Sequence, residues 1–571
     1  MKKEQPNRLR QKVQEKTTNA LRIIPLGGQE EVGRNMTLFE YGKDIVILDM
    51  GLQFPEEDML GVDYIIPNIT YLRGKEKNIR GVIFSHGHLD HIGAAPLLLE
   101  RLGNPLVIGR PLTLALLKNR QEDYKKGSVK RLKTLTIKSI SDTLRLGNFT
   151  VKFFPVDHSI MDAVGVILET PHGSAVHLGD WTYEKDPVGR RGVEYTHLSR
   201  LRKPTIVMLE SLGSTNTRER VSEQMMFTNI EKLIQGAPGR VIIGTFSSQI
   251  ERIKHILEYA QRIGKKVALD GYSMKVNIET AKKLGYIKVA QHVLITPEQV
   301  DKYPDEKVVI ICTGAQGESN AVLSRIVTGN HRSIRIKKTD TIIFSSSVIP
   351  GNERTIQRLK DSLYRLCDNV VHSDIMDIHS SGHSTARDML TVLKQIRPSY
   401  FVPVYANHYF LKEAEKLAVR HGFPKEHVFV LDNGSVLEFN NGKAQILPKK
   451  VPTDYVFVDG LGVGDISHVV LRDRQTLAGD GMVVIIVTVD AKTGKLVGNP
   501  DIISRGFVHM KTSTRLIDET KKKIQTMFQQ RDPQSKANDA YIANKLRDDI
   551  GQFLFSRTNR RPMILPVVID V

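Results

Sequence analysis

Ser85-His-Gly-His-Leu-Asp-His-Ile-Gly93 follows directly on the apolar run Val82-Ile83-Phe84 and carries three histidines and an aspartate within six positions. A polar surface loop or a set of core histidines does not call for this spacing, whereas a metal site does. Imidazole and carboxylate suit zinc or manganese. Alternate positions in an extended turn can send His86 and His88 to one ion while Asp90 and His91 face another. Two cations a few ångströms apart suit phosphoryl transfer, because together they activate a water and clamp the non-bridging oxygens.

Further ligands belong at later strand ends, and two stretches offer them. Val156-Asp-His158 follows the strand near Phe153, and Val176-His-Leu-Gly-Asp180 closes another apolar run. His158 would complete the ion of His86 and His88, and Asp180 could bridge both ions. His177 points the other way along its strand and reads as a packing residue.

From Leu21 to about Met208 the pattern is short apolar strands broken by glycine turns, with few long helices, one of them starting near Asp90. After Glu210 it changes to alternating helix and strand: helical spacing over 221–235, a strand at 240–244, an amphipathic helix over 248–262, strands at 266–269 and 308–312, and a helix near 277–284. That rhythm predicts βαβ units and a parallel sheet. Strands return near 341–344 and 400–404, with a helix from about Thr385 to Gln395. Gly460-Leu-Gly-Val-Gly464 reads as a linker, and the remainder as a small α+β domain with a hairpin of 482–490 and 495–497 and an amphipathic stretch over 514–530.

At 571 residues the chain is too long for one core. With 82 Lys+Arg against 63 Asp+Glu its net charge is +19, which favours a polyanionic partner. Two cysteines are too few for a disulfide scaffold and fit a reducing cytoplasm. The basic residues before position 18 lack an apolar core, so they read as a tail rather than a signal peptide, and no run of about 18 apolar residues predicts a membrane span. Basic clusters lie at 118–133 and 332–338; each alone reads as a solvated face, and their sum with the total charge favours RNA held through its phosphates.

HxHxDH, Asp49 after a strand, Asp157-His-Ser159 and Gly179-Asp180 together resemble the metallo-β-lactamase fold, and the βαβ block resembles the β-CASP nuclease insertion. Gly27–Asn35, Cys312–Glu318, Phe344–Glu353 and Ile378–His383 resemble bacterial ribonuclease J over essentially the whole chain. The Gly27 stretch lacks the Lys-Ser/Thr of a phosphate loop and is taken as a turn. The implied fold class is α/β: a metallo-β-lactamase αββα sandwich with an inserted β-CASP α/β domain and a small C-terminal α+β domain. The expected divisions are a basic tail at 1–18, sandwich halves at 19–208 and 376–450, the insertion at 209–375, a linker at 451–464 and a C-terminal oligomerisation domain at 465–571.

The resemblance implies a metal-dependent ribonuclease that degrades RNA from the 5′ end with additional internal cleavage, in messenger decay and ribosomal RNA maturation. It implies divalent ions, zinc first with manganese or magnesium as alternatives, held by His86, His88, Asp90, His91, His158 and Asp180. His379, Ser380, Ser381, Gly382 and His383 would hold a phosphate of the substrate. Asp90 and His383 count as catalytic, His383 as the acid that protonates the leaving 3′ oxygen. The same loop also reads as a plain turn before a helix capped by Ser384.

Two departures stand out. Where the family carries a histidine after the strand at 400–404, this chain has Tyr405, a poor ligand because its oxygen binds well only when deprotonated. His408, three residues on, faces elsewhere. Gly213 precedes Ser214-Thr-Asn216, and the nearest carboxylate is Glu210. Both features resemble the second, metal-site-degraded paralogue of some Gram-positive bacteria, implying weak activity and a complex with an active paralogue, as a homo- or hetero-oligomer, dimer or tetramer. The rival readings are an RNA-binding structural subunit without chemistry, and a small-molecule hydrolase such as a thioesterase, which explains neither the insertion nor the 380–383 loop.

Overall fold

Val164–Thr170 is apolar at every position but Gly165 and its last two, so such a strand must be covered on both faces. In the computed structural model it is. Val164, Val166 and Leu168 point into one core and Ile167 into another. The structure describes residues 19–184, 192–318, 320–346, 348, 352–460, 462–464, 468–510, 512–530 and 539–571; the basic tail lies outside them.

Two large sheets face each other across the first core. One has eight strands in the order 443–447, 436–440, 21–27, 36–41, 44–48, 79–83, 107–109, 134–136. The other has six, in the order 400–404, 205–210, 173–177, 164–170, 149–155, 143–146. Phe39, Val46 and Ile83 of the first meet Phe149, Val166, Met208 and Val402 of the second. The outer face of the six-stranded sheet packs on the helices Ala386–Ile396 and His408–Arg420 through Met389, Val392 and Ala414. Helix Pro111–Tyr124, begun by a proline at a position where no amide partner is needed, lies against the 107–109 end of the other sheet. This is the αββα sandwich.

The insertion is a parallel six-stranded sheet in the order 294–295, 266–270, 308–312, 241–244, 341–344, 369–371. Its helices include Glu223–Gly236, Ile250–Arg262, Tyr272–Lys283 and Glu353–Tyr364. Ser222 caps the first by accepting from the Met225 amide. The helix expected near 277–284 begins five residues earlier, at Tyr272, because the left-handed Gly271 (φ 117°) turns the chain directly into it.

Residues 54–65 and 456–571 form a second compact unit. The stretch read as a linker is structured: Val456–Asp459 pairs with Gly462–Val463 and with Tyr64–Ile66. Phe457 and Leu471 bury Val62 and Ile65, a pairing of distant segments that no local pattern announces. The strand Met482–Val489 pairs antiparallel with Asp501–Arg505 and parallel with Met563–Asp570. The expected partner at 495–497 supplies only a single bridge, Val489 with Leu496. Helices Thr514–Gln529 and Asp539–Thr558 cover one sheet face through Ile524, Leu546 and Ile550. No helix among the described residues is long and apolar enough to cross a membrane.

Candidate metal centre and substrate cleft

The centre stands where strands 44–48 and 79–83 release the chain. Asp49 takes a left-handed conformation (φ 62°), and its buried carboxylate accepts from the Ser85 amide (2.8 Å), the Ser85 hydroxyl (2.9 Å) and His91 Nδ1 (2.8 Å). Such backbone strain persists only where surrounding bonds hold it. The neighbouring backbone is knitted in the same way: the Met50 amide donates to His91 O, Gly51 to Asn35 O, and Asn35 to Asp90 O. A Cβ on Gly51 would stand 1.5 Å from Asp90 O, so glycine there sets how closely the Asp90 helix approaches.

His86 Nε2 and His158 Nε2 each lie 3.1 Å from His88 Nδ1, with Asp180 Oδ2 at 4.0 and 3.9 Å from the first two. Burial lowers all three imidazoles: His86 well below its ordinary value, His88 to about 4 and His158 to about 3. They are neutral at pH 7. His158 Nδ1 meets Gly382 O at 2.7 Å, which fixes the proton there and leaves the Nε2 lone pair facing the cluster. Inward lone pairs with one carboxylate are the donor set a divalent cation takes. The residues fit.

Asp90, His91 and Asp180 form the adjoining group, with His91 Nε2 3.2 Å from Asp180 Oδ1 and 3.5 Å from Asp90 Oδ2. Burial works to lower His91, but Asp180, Asp90 and Asp49 prevail and hold it protonated. A proton balances these carboxylates in a place where a cation could do so. Asn35 Nδ2 lies 2.9 Å from His91 Nε2. Tyr405, also left-handed (φ 58°), sets its ring edge-on to His91 at 5.4 Å and against His177 at 4.9 Å. Burial, then the Asp49 carboxylate, pushes its phenol well above the ordinary value, so it stays neutral. His177 accepts from the Gly179 amide (2.9 Å) and so shapes the turn that delivers Asp180. His408 sits apart, half-exposed, 3.8 Å from Asp432.

Across the cleft runs the 379–383 loop. Gly382 packs against Ser159 and His158, where a Cβ would meet Ser159 Oγ at 2.8 Å. His383 Nδ1 lies 3.6 Å from Glu210 Oε2, a carboxylate with no exposure at all. Burial opposes protonation of His383, but Glu210 leads Asp180 and Asp90 in raising it to about 9. Ser380 Oγ donates to Val221 O, Ser381 Oγ accepts the His383 amide, and His379 Nδ1 faces Arg252 Nη1 at 3.1 Å. Ser381 and Ser380 line the cleft together with Arg220 and Arg252, whereas His379 braces the loop. The helix after it is capped by Thr385 in a capping box with Asp388, not by Ser384, because the Thr385 hydroxyl is the one that reaches the Asp388 amide.

Four neighbours have roles that the sequence did not assign, although Asp49 and Glu210 stand out in it. Asp49 orients His91, Glu210 charges His383, Asn35 touches His91, and Arg252 joins the loop to Ser345 O (2.5 Å) while burial lowers its pKa to about 10. Asp49 and Glu210 each end an apolar strand, and that position was the available signal. Arg252 sits in a helix among Ile250, Ile253 and Ile256 with nothing local to mark it.

A sandwich with this donor cluster at its strand ends and a parallel α/β insertion defines a metallo-β-lactamase/β-CASP chain, a class whose fold implies a divalent metal. Residues 30–202 match the metallo-beta-lactamase superfamily, 238–363 the ribonuclease J beta-CASP domain and 469–571 the ribonuclease J C-terminal domain. The chain is 36% identical over 558 residues to a ribonuclease J 1 of Streptococcus pyogenes serotype M3, covering 96% of this chain and 98% of that protein. It is 33% identical over 561 residues to ribonuclease J2 of Bacillus subtilis, covering 98% and 100%. It belongs to the ribonuclease J family. A solved structure of a protein of unknown function from Enterococcus faecalis V583 shares the fold, with TM-score 0.53 at 15% identity over 75% of this chain and 100% of that one.

Proposed function

We propose that this chain is a metal-dependent ribonuclease that shortens RNA from the 5′ end and also cuts internally, in cytoplasmic RNA decay and maturation. The observation that carries the reading is the pairing of two opposed devices. Neutral imidazoles of His86, His88 and His158 converge with Asp180 on one side, and a protonated His383 stands over Glu210 on the other. His86, His88, His158 and Asp180 would hold a divalent ion, zinc on the strength of the nitrogen-rich donors, which would supply Lewis acidity and a more acidic water. His91, Asp90 and Asp180 offer a second position. His383 supplies the proton at Nδ1 or Nε2 for the departing 3′ oxygen, and Arg220, Arg252 and the Ser381 hydroxyl offer positive charge and a donor to the phosphate.

The domain limits follow the same reading, with sandwich halves at 19–208 and 376–450, insertion at 209–375 and oligomerisation domain at 465–571, except that 54–65 group with the C-terminal unit. Weak intrinsic activity, in complex with an active paralogue, is supported by Tyr405. Its neutral phenol stands beside His91, where an imidazole would add a nitrogen donor to the group of Asp90, His91 and Asp180. The same observation favours a second reading, an RNA-binding structural subunit without chemistry. Elemental analysis of the purified protein beside turnover of 5′-monophosphorylated RNA separates them. At least one ion per chain with release of nucleotides supports the enzyme, and neither supports the subunit. Tyr405→His should raise both metal content and turnover; a folded variant with no gain counts against the weakened-enzyme reading. Light scattering should give the mass of a dimer or tetramer, and a monomer at micromolar concentration would remove the oligomer.

A further inference from the structure

The strand Tyr400–Val404 has the metal centre at one end and a different concavity at the other. Tyr405 follows its last residue beside His91, and Tyr400 opens it some five residues away, about 16 Å at the usual rise. There a cavity of about 670 Å³ is lined by residues of four separate segments, and none of the lining residues is acidic. Phe423 and His427, both half-buried, make the floor; beneath them the buried Tyr400 sets its ring 4.9 Å from that of His427. Lys203 and Arg397 make the rim.

The walls are fixed. Lys203 Nζ donates to Arg397 O (2.7 Å), the Ser399 amide to Thr205 O (2.8 Å), and Tyr400 Oη to Gly442 O (3.1 Å). Arg397 is left-handed (φ 50°) and ends the helix Ala386–Ile396, which turns its exposed guanidinium out of the helical register, and it has no carboxylate partner among the described residues. Of the exposed charges that adjoin the lining residues in sequence, Arg202 and Lys425 add to the same sign and Glu426 offsets one of them. Aromatic floor, cationic rim and a volume in the range of small-ligand pockets match a base with its phosphate. An acidic peptide would use the rim but leave the rings idle.

We propose that this cavity binds a nucleotide unit of single-stranded RNA, stacking a base on Phe423 or His427 and setting a phosphate between Arg397 and Lys203. It goes beyond the cleavage site and rests on the family's handling of RNA only for its ligand. Because the cavity lies away from the metal cluster, it holds the strand without taking part in its hydrolysis.

The test uses the full-length protein and a 2′-O-methyl oligouridine carrying 4-thiouridine, which photocrosslinks without being cut. Mass spectrometry should find crosslinks on peptides containing Phe423 or His427 as well as on the 379–383 loop. Arg397→Asn, which tolerates the left-handed backbone, should weaken the 423/427 crosslink about 10-fold and reduce the salt dependence of binding by roughly one phosphate, leaving the loop crosslink intact. Lys203→Gln, retaining a donor, should act alike. Crosslinks at the loop alone, or an unchanged yield in both variants, overturn the second site; absence of crosslinks everywhere instead overturns RNA binding as such. Competition by uridine monophosphate as strong per nucleotide as by the oligomer would identify free mononucleotide as the source of the same chemistry. Displacement by polyglutamate and not by either nucleotide would refute the proposal.

Discussion

Glu210→Gln isolates the electrostatic role of one buried charge. The variant keeps the Oε1 oxygen that accepts the Leu212 amide (2.5 Å) and removes the largest contribution that raises His383. His383 stands at about 9 with the carboxylate present. Without it, burial acts against Asp180 and Asp90 alone, and the imidazole is expected at or below the ordinary value of about 6.5. A general acid works only while protonated, so its contribution is present below its pKa and lost as pH rises through it. At pH 8 a group of pKa 9 is about 90% protonated and one of 6.5 about 3%, a loss of roughly 30-fold, whereas at pH 6 the two differ by less than twofold. The assay is the pH profile of kcat/KM on 5′-monophosphorylated RNA, supported by NMR titration of the His383 ring in chelated protein. A bound ion lowers both values alike, so the displacement between profiles carries the result. Equal alkaline limbs, or an equal loss at every pH, would refute the assignment of Glu210 to proton control.

Three further outcomes are expected. Gly51→Ala drives a methyl into Asp90 O and should cost about 3 kcal/mol by calorimetry; a change under about 1 kcal/mol would mean the Asp90 helix yields freely. Asp49→Asn weakens the hold on His91 and should reduce metal affinity about 10- to 100-fold in competition with a chelator, with unchanged affinity counting against the brace. In chelated protein, burial depresses His158 and His177 to about 3, so the unfolded chain takes protons below about 6.5 that the folded one refuses. Their contribution to stability is therefore complete above that pH and lost as pH falls, by about 2 kcal/mol per imidazole on reaching pH 5, against the opposite contribution of the raised His91 and His383; a change in urea midpoint from pH 7.5 to 5 that is the same in His177→Phe as in the parent chain would contradict this.

The partnership of Glu210 and His383 also gives the departure before Ser214 a physical sense. The carboxylate lies at the end of the strand Thr205–Glu210, three residues ahead of Gly213, yet strand geometry and a close approach of Gly213 to Ser384 O bring it beneath the imidazole. Spacing along the chain did not reveal this, because the 383 loop arrives from beyond the insertion.

What the sequence determined by itself was local chemistry and rhythm. His86 to His91 lie within one turn, so their spacing alone brought two adjoining sets of candidate donors together, and period-3.6 and period-2 patterns dictated the parallel insertion and the sandwich strands. Only the tertiary structure decided what depends on burial and on contacts between distant segments. It put Asp49 under His91, gave His383 its charge and Tyr405 its neutral phenol, took the Ser380 hydroxyl for Val221, and carried 54–65 to the C-terminal unit. A protonation state is set by the dielectric and the charges that surround a group, and those are supplied by residues hundreds of positions away.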